Sequence, residues 1–188
     1  MLWDSSRGRY LRAVNVARAA GDAAPGTAFD RSLPYPNRRV SRVAATDDTL
    51  DASLLGLVWP FRVLGAGSDR ARATVEAVAE GLEAPTGGLL RQSGDTYAGG
   101  HEWVLAALWL GLARRALGDE GGLRRAVAHV VSRRTELDLL AEQVDAEGRP
   151  AWVLPLGWSH AMLLLAALPE LGLVATLERE NAGDGRGG

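Results

Sequence analysis

The sequence contains neither cysteine nor lysine, and none of its apolar runs is long. Without cysteine, the chain has no disulfide framework, no thiolate nucleophile and no zinc–thiolate cluster. The most apolar run, from Val104 to Ala113, is too short to cross a bilayer, which takes roughly 20 residues. The first residues also lack the basic and then apolar order of a signal peptide. We therefore expect a soluble, cytoplasmic protein that makes no contact with a membrane.

The balance of charge gives little support to a nucleic-acid partner. The formal net charge is -2 and the pI is near 5.9. All 21 cationic residues are arginine, and although many lie in residues 1–46, no interleaved aromatic residues or known binding module accompany them. A solvated, loop-rich face explains these arginines better. No three histidines or carboxylates occur at metal-ligand spacing, so neither a metal nor another cofactor is expected.

With 188 residues, the chain is long enough for one domain with a real core. We expect a loop-rich segment over residues 1–46, a helical part over 47–178 and a disordered tail over 179–188. The helical part alternates helix and loop, with no convincing sheet. Helices are predicted from Thr46 to Trp59 with Asp48 and Asp51 at its start, from Ser68 to a stop at Pro85–Gly88, from His101 to Leu117, around Leu123–Val131, from Ser159 to Leu168, and from Glu170 to Leu177.

Two loops between these helices, 89–100 and 139–157, are long and rich in unusual residues. The helix 101–117 that follows the first loop is apolar nearly all round, which indicates burial on most sides. In a toroid of paired helices, both loops would emerge at the same end. They would then line a single pocket.

The second loop and the turn after it place a lone carboxylate, Glu142, close to two tryptophans, Trp152 and Trp158. This combination suits sugar chemistry, because pyranose rings pack flat C–H faces on indole while carboxylates bind hydroxyls or transfer protons. The alternative is a loop glutamate that faces water beside two core tryptophans. Composition by itself favours that alternative.

Three segments together resemble glycoside hydrolase family 15, which comprises glucoamylases, glucodextranases and microbial trehalases. They are DASLLGLVWPF at 51–61, GLLRQSGDTYAGGHEW at 88–103 and EQVDAEGRPAWVLPLGWSHA at 142–161. The resemblance runs from about Trp3 to Leu168 and corresponds to the C-terminal half of the family's catalytic domain. It implies an all-α fold in which this chain forms the C-terminal helices of an (α/α)6 toroid.

The resemblance also implies inverting hydrolysis of α-glucosidic bonds, with β-glucose released from an α-linked gluco-oligosaccharide or trehalose. In such enzymes a general acid and a general base stand roughly 6.5–9.5 Å apart, which leaves room for the attacking water. By resemblance, Glu142 is the general base and Arg91 binds sugar hydroxyls. Asp95 orients Arg91, and three aromatic residues line the glucose pocket: Tyr97, Trp103 and Trp158.

The sequence departs from the family pattern at the pocket and in its extent. Gln92 follows Arg91 where the family often has tyrosine, and His101 and Glu102 stand where it often has Asn-Pro. The general acid belongs to the N-terminal half of the family domain, which this sequence does not contain. Glu102 is a carboxylate near the site, but its position is not that of the acid.

Two other readings remain at this stage. The chain could be a non-catalytic remnant or sugar-binding half-barrel that needs a complementing N-terminal chain. It could also be another α/α toroid, such as a terpenoid enzyme, but that class needs an acidic metal-binding cluster, which we do not find. A half toroid should leave one flank of helix 101–117 unburied, so we expect self-association or pairing with a missing half.

Structural or surface positions explain the remaining histidines and tryptophans without a role in a site. We expect His160 to be a hydrogen-bonded structural residue rather than a substrate contact, and His129 to be exposed on a polar helix face. Trp59 and Trp109 are predicted to belong to the core.

Overall fold

The computed structural model describes residues 3–19 and 40–168. The short helix predicted at 170–177 and the disordered tail predicted at 179–188 lie outside the described residues. The domain boundaries predicted at residues 46 and 178 therefore stay predictions.

The described chain is mostly helical, with three small antiparallel sheets. One sheet pairs β1 with β2, the second pairs β3 with β4, and the third has the order β5-β6-β7. The strands are β1 Trp3–Asp4, β2 Arg9–Tyr10, β3 Ala13–Ala19, β4 Val40–Asp47, β5 Glu102–Trp103, β6 Gln143–Val144 and β7 Pro150–Ala151. The helices are α1 Asp69–Gly81, α2 Val104–Ala116, α3 Glu120–Ser132 and α4 Gly157–Ala167, with short 3-10 helices at Ala52–Leu57 and Tyr97–Gly99.

The sheet β5-β6-β7 corrects the expectation that the helical part contains no sheet. Five of the seven strands are two residues long. A two-residue strand carries no alternating pattern, so hydrophobic periodicity cannot reveal it. The four α-helices, in contrast, lie close to their predicted positions, because elements of 11 to 13 residues are long enough to show a pattern of apolar residues.

The first predicted helix is shorter than expected. Its start was placed near Asp48, but the ordered turn is the 3-10 helix at Ala52–Leu57, whose cap is Asp51. The Asp51 side chain accepts a hydrogen bond from Ser53 N at 2.7 Å. At the next helix the predicted cap is confirmed, because Ser68 Oγ accepts from Ala71 N at 3.3 Å at the start of α1.

Helix α2 lies at the centre of the core. Its buried residues include Val104, Leu108 and Leu112, which pack with buried residues of α1 and α3. The expected burial of this helix on most sides is confirmed, and the expected bare flank on α2 is not found. Trp59 and Trp109 are partly buried against the same core, in agreement with the prediction.

The exposed apolar surface lies instead on α4. Only Ser159 and Ala166 of this helix are buried. Trp158, Leu164 and Leu165 are 71%, 64% and 43% exposed. Helix α4 is therefore apolar but covered on one side alone.

Candidate functional site

The sheet β5-β6-β7 brings the two long loops together. Trp103 pairs with Gln143, which in turn pairs with Ala151. Side-chain contacts reinforce the pairing, because Gln143 Nε2 donates to the carbonyl of Tyr97 at 3.4 Å. Loops 89–100 and 139–157 thus meet at one place, beside the N-terminus of α2.

Arg91 is held at the centre of this meeting point. It donates through Nη2 to Asp95 Oδ1 at 2.6 Å, and the Asp95 side chain is only 2% exposed. The guanidinium carbon lies 5.1 Å from the ring centroid of Tyr97 and 4.8 Å from that of Trp103. Charge pairing and cation–π contact therefore fix the plane of the guanidinium group.

Glu142 lies at the entry to β6, where its backbone is bonded on both sides. Its carbonyl accepts from Val104 N at 3.2 Å, and its N–H donates to the carbonyl of Val153 at 2.9 Å. The residue is 9% exposed. Burial raises the pKa of the Glu142 carboxyl, and the positive charge of Arg91 offsets part of this increase.

The site concentrates buried polar atoms that have no hydrogen-bond partner. Such atoms are uncommon in folded proteins, and each needs a physical reason. Seven side-chain atoms of this kind occur in the described residues, and five of them belong to residues around Arg91 and Glu142. The five are Arg91 Nε, Asp95 Oδ2, Trp103 Nε1, Glu142 Oε2 and Gln143 Oε1. Unpaired donors and acceptors in neighbouring residues are a feature that suits a polyhydroxylated ligand.

Trp152 also belongs to this cluster, although the family resemblance implied only Tyr97, Trp103 and Trp158 as pocket aromatics. Its indole Nε1 donates to Tyr97 Oη at 3.2 Å. The two rings meet edge to face, with centroids 5.9 Å apart. The position of Trp152 ten residues after Glu142 indicates a possible role in the site. Which of Trp152 and Trp158 reaches Tyr97, however, depends on the path of the loop.

Trp158 stands apart from the cluster. It lies in the first turn of α4 and is 71% exposed. Within the described residues it makes no ring contact with Tyr97, Trp103 or Trp152. Of the six residues predicted to form the site, the structure thus joins Arg91, Asp95, Tyr97 and Trp103, and it places Glu142 within reach of the Arg91 charge.

Glu102 faces a different environment from its neighbour Trp103. Its carboxylate accepts from Thr86 Oγ1, from Gly88 N at 3.2 Å and from His129 Nε2 at 2.9 Å. Burial raises the pKa of Glu102, but these hydrogen bonds and the charges of His129 and Arg133 outweigh burial and leave the pKa below its usual value. A carboxyl held ionised in this way is a poor proton donor.

The same contact corrects the expectation for His129, which was predicted to face solvent. Its side chain is 16% exposed and bonded to Glu102. The helical pattern does not predict the burial of His129, because its partner Glu102 lies in a two-residue strand 27 positions earlier in the chain.

His160 has the structural role that we expected. Its Nε2 accepts from Leu140 N at 3.2 Å, and its Nδ1 donates to the carbonyl of Leu156 at 2.8 Å. The neighbouring Ser159 Oγ donates to the carbonyl of Ala141 at 2.7 Å. The first turn of α4 therefore holds the backbone that leads into Glu142.

No group of three His, Asp or Glu side chains in residues 3–19 and 40–168 could hold a metal ion. None of the helices in this part of the chain is both long enough and apolar enough to cross a membrane.

No protein-family model matches the chain. In sequence it is similar to an uncharacterised glycosyl hydrolase of Methanocaldococcus jannaschii, with 33% identity over 146 residues, which covers 71% of this chain and 24% of that protein. It is also 34% identical over 147 residues to isomaltose glucohydrolase of Kribbella flavida, covering 66% of this chain and 35% of that enzyme. The chain thus spans between 24% and 35% of the length of these relatives.

Solved structures that are similar to this chain are also glycosidases. A wild-type glycosidase superposes with a TM-score of 0.59 and 32% identity, over 70% of this chain and 38% of that chain. A variant glycosidase in complex with glucose gives 0.60 and 30%, with the same coverage. A bacterial glucoamylase complexed with acarbose gives 0.57 at 24% identity over 66% of this chain and 21% of that chain, which is a likeness of fold alone. These matches relate the chain to glycosidases, and the glucoamylase adds only a similar fold.

Proposed function

We propose that this chain carries the general-base side of an inverting α-glucosidase site. Glu142 is the base that activates water, Arg91 binds hydroxyls of the terminal glucose unit, and Asp95 fixes Arg91. The observation that supports this most is the Glu142 carboxyl, which is nearly buried, keeps one oxygen without a partner and has a raised pKa. A base with these properties accepts a proton from water more readily than an exposed glutamate does.

In the proposed reaction, the water oxygen attacks the anomeric carbon from the face opposite the leaving group. Glu142 takes the water proton as the glycosidic C–O bond breaks, and the leaving oxygen gains a proton from a general acid. The product is β-glucose. Tyr97 and Trp103 are proposed to face the sugar ring, and Trp158, which lies apart from them on α4, is proposed to contact it from the exposed side.

We propose an α-linked gluco-oligosaccharide as substrate, with isomaltose the first to test and trehalose the second. Support comes from the isomaltose glucohydrolase of Kribbella flavida, which shares 34% identity with this chain. As the fold, we propose the C-terminal part of an (α/α)6 toroid of glycoside hydrolase family 15, to which the described helices belong.

One observation favours a second function, that of a sugar-binding half-barrel without turnover. Glu102, the carboxylate next to Trp103 in β5, is bonded to Thr86, Gly88 and His129 and cannot serve as the acid. Hydrolysis of an oligosaccharide would then require a complementing chain that supplies the acid. General acid–base catalysis contributes about 100- to 10,000-fold, so its loss leaves little turnover of a natural substrate.

Hydrolysis of α-glucosyl fluoride tests the proposal without depending on the acid, because fluoride leaves without being protonated. We expect the purified chain to release fluoride and to form β-glucose as the first anomer seen by proton NMR. The Glu142→Gln variant should lower the rate by about 100- to 10,000-fold.

Glu136→Gln is the matched control, since Glu136 is an exposed carboxylate outside the site. Its rate should equal that of the wild type. If the wild type binds glucose but releases no fluoride, the half-barrel function replaces the enzymatic one. Equal rates for Glu142→Gln and the wild type would contradict the role of Glu142.

A further inference from the structure

Trp152 has a backbone conformation that bulky side chains rarely adopt. Its φ is +64°, in the left-handed region, and it follows directly after β7. The residue is 61% exposed, so it contributes little to the core. A glycine would occupy this position without strain, and strain of this kind is retained mainly at functional sites.

The indole of Trp152 is the outer end of a continuous series of rings. Tyr97 lies between Trp152 and Trp103, with centroid distances of 5.9 Å and 5.8 Å. The exposed fraction rises along the rings, from the partly buried Trp103 to 43% at Tyr97 and 61% at Trp152. The series therefore runs from Trp103, which contacts Arg91, out to solvent.

We propose that Trp152 is a platform for the second sugar ring of the substrate, the ring that is bonded to the glucose unit at Glu142. This inference rests on the proposed function. A glucose unit beside the buried Glu142 must have its glycosidic partner toward the open end of the site, where Trp152 lies. The flat C–H face of that second ring packs on the indole, while the bond from Trp152 Nε1 to Tyr97 Oη fixes the indole plane.

Two other roles for Trp152 predict different behaviour. A brace that acts only through Tyr97 would affect the binding of glucose and of a disaccharide equally, because both need Tyr97. A contact with another protein chain would change the state of association and leave sugar affinity unaltered.

Calorimetric titration of the full 188-residue chain with glucose and with isomaltose separates these roles. Isomaltose should bind the wild type about tenfold more tightly than glucose, which is the scale of one well-packed aromatic contact. Trp152→Gly and Trp152→Ala should remove this advantage and change glucose affinity by less than about twofold. Trp152→Phe should keep most of it.

Phe61→Ala is the matched control, because Phe61 is an aromatic residue 73% exposed outside the cluster. It should alter neither affinity. Thermal melting should show Trp152→Gly at least as stable as the wild type, since glycine relieves the left-handed strain.

The outcomes separate this inference from the proposed function. Equal loss of glucose and isomaltose affinity in Trp152→Ala, or no loss of either, overturns the platform while the glucose site stands. A change of sedimentation coefficient with unchanged sugar affinity overturns it in favour of a protein contact. Absence of glucose binding in the wild type overturns both proposals.

Discussion

At the scale of single residues, Glu142 and Arg91 form an electrostatically coupled pair. Burial raises the pKa of Glu142, and the fixed positive charge of Arg91 restrains that increase. The charge of Arg91 therefore has two proposed effects. It binds sugar hydroxyls, and it keeps the base ionised over a wider range of pH.

Replacing Arg91 by methionine should move the acidic limb of the pH–rate profile to higher pH. A general base works in its ionised form, so the rate rises as pH passes upward through the pKa of Glu142. Without the Arg91 charge that pKa rises further, and the limb follows it. The measurement is fluoride release from α-glucosyl fluoride as a function of pH.

Arg134→Met is the control, because Arg134 pairs with Asp138 on the surface at 2.6 Å. Its profile should coincide with that of the wild type. A limb in Arg91→Met that stays in place, or moves to lower pH, would contradict the coupling.

The residues of the cluster differ in how far sequence could predict them. The family resemblance implied that Asp95 orients Arg91, and the two side chains are bonded at 2.6 Å. Trp152 could not be chosen over Trp158 in the same way. Its contact with Tyr97 depends on a left-handed backbone that no residue type at that position signals.

At the scale of elements, strand β5 separates two environments. Trp103 faces Arg91, while Glu102 faces His129 and the N–H of Gly88. Successive side chains of a strand point to opposite sides, so a two-residue strand is enough to produce this division. The bonds of Glu102 to Thr86, Gly88 and His129 hold β5 on the side opposite Trp103, and they thereby fix the position of Trp103.

Replacing Glu102 by glutamine should destabilise the fold by about 3 kcal/mol at neutral pH, because it removes a buried charge from its partners. The pKa of Glu102 is lower in the folded protein than its usual value of 4.5. Its contribution to stability is therefore present above about pH 4.5 and is lost as pH falls through the lowered folded pKa. Urea unfolding of both proteins as a function of pH measures the difference.

The difference in the free energy of unfolding between the wild type and Glu102→Gln should become smaller as the pH is lowered. The exposed Glu136→Gln variant should follow the wild type at every pH. If the two proteins have equal free energies of unfolding at neutral pH, or if the difference grows as pH falls, Glu102 is not the residue that holds β5 in place.

The helices were largely predictable, and the connections between them were not. A helix such as α1 buries Val75, Val78 and other residues at regular intervals, which the sequence displays directly. The sheet β5-β6-β7 joins segments about 40 residues apart through two-residue strands. Pairing of this kind depends on tertiary packing, which leaves no local pattern.

At the scale of the whole molecule, the exposed apolar residues of α4 are the feature that needs a partner. Leu165 also lines a cavity of about 510 Å³ with Trp59 and Leu112, on a part of the surface that does not include Glu142. The glycosidase structures that match this chain are longer, since the match covers 38% of each. Further helices of such a fold would cover this side of α4.

We expect the isolated chain to self-associate through α4. Sedimentation velocity should show association that increases with protein concentration, and Leu164→Glu should shift it toward monomer because it places a charge on the apolar face. Leu137→Glu is the control, since Leu137 is 79% exposed but lies outside α4. A wild type that stays monomeric at all concentrations would contradict this expectation.

The most direct test of Glu142 as the base is chemical rescue of Glu142→Ala by azide, with α-glucosyl fluoride as substrate. Azide is a nucleophile that needs no base, and it is small enough for the space that the carboxylate leaves. The account predicts that azide restores fluoride release and that the product is β-glucosyl azide, formed by attack opposite the departing fluoride. A variant that binds glucose but is not rescued, or that yields the α-azide, would contradict it.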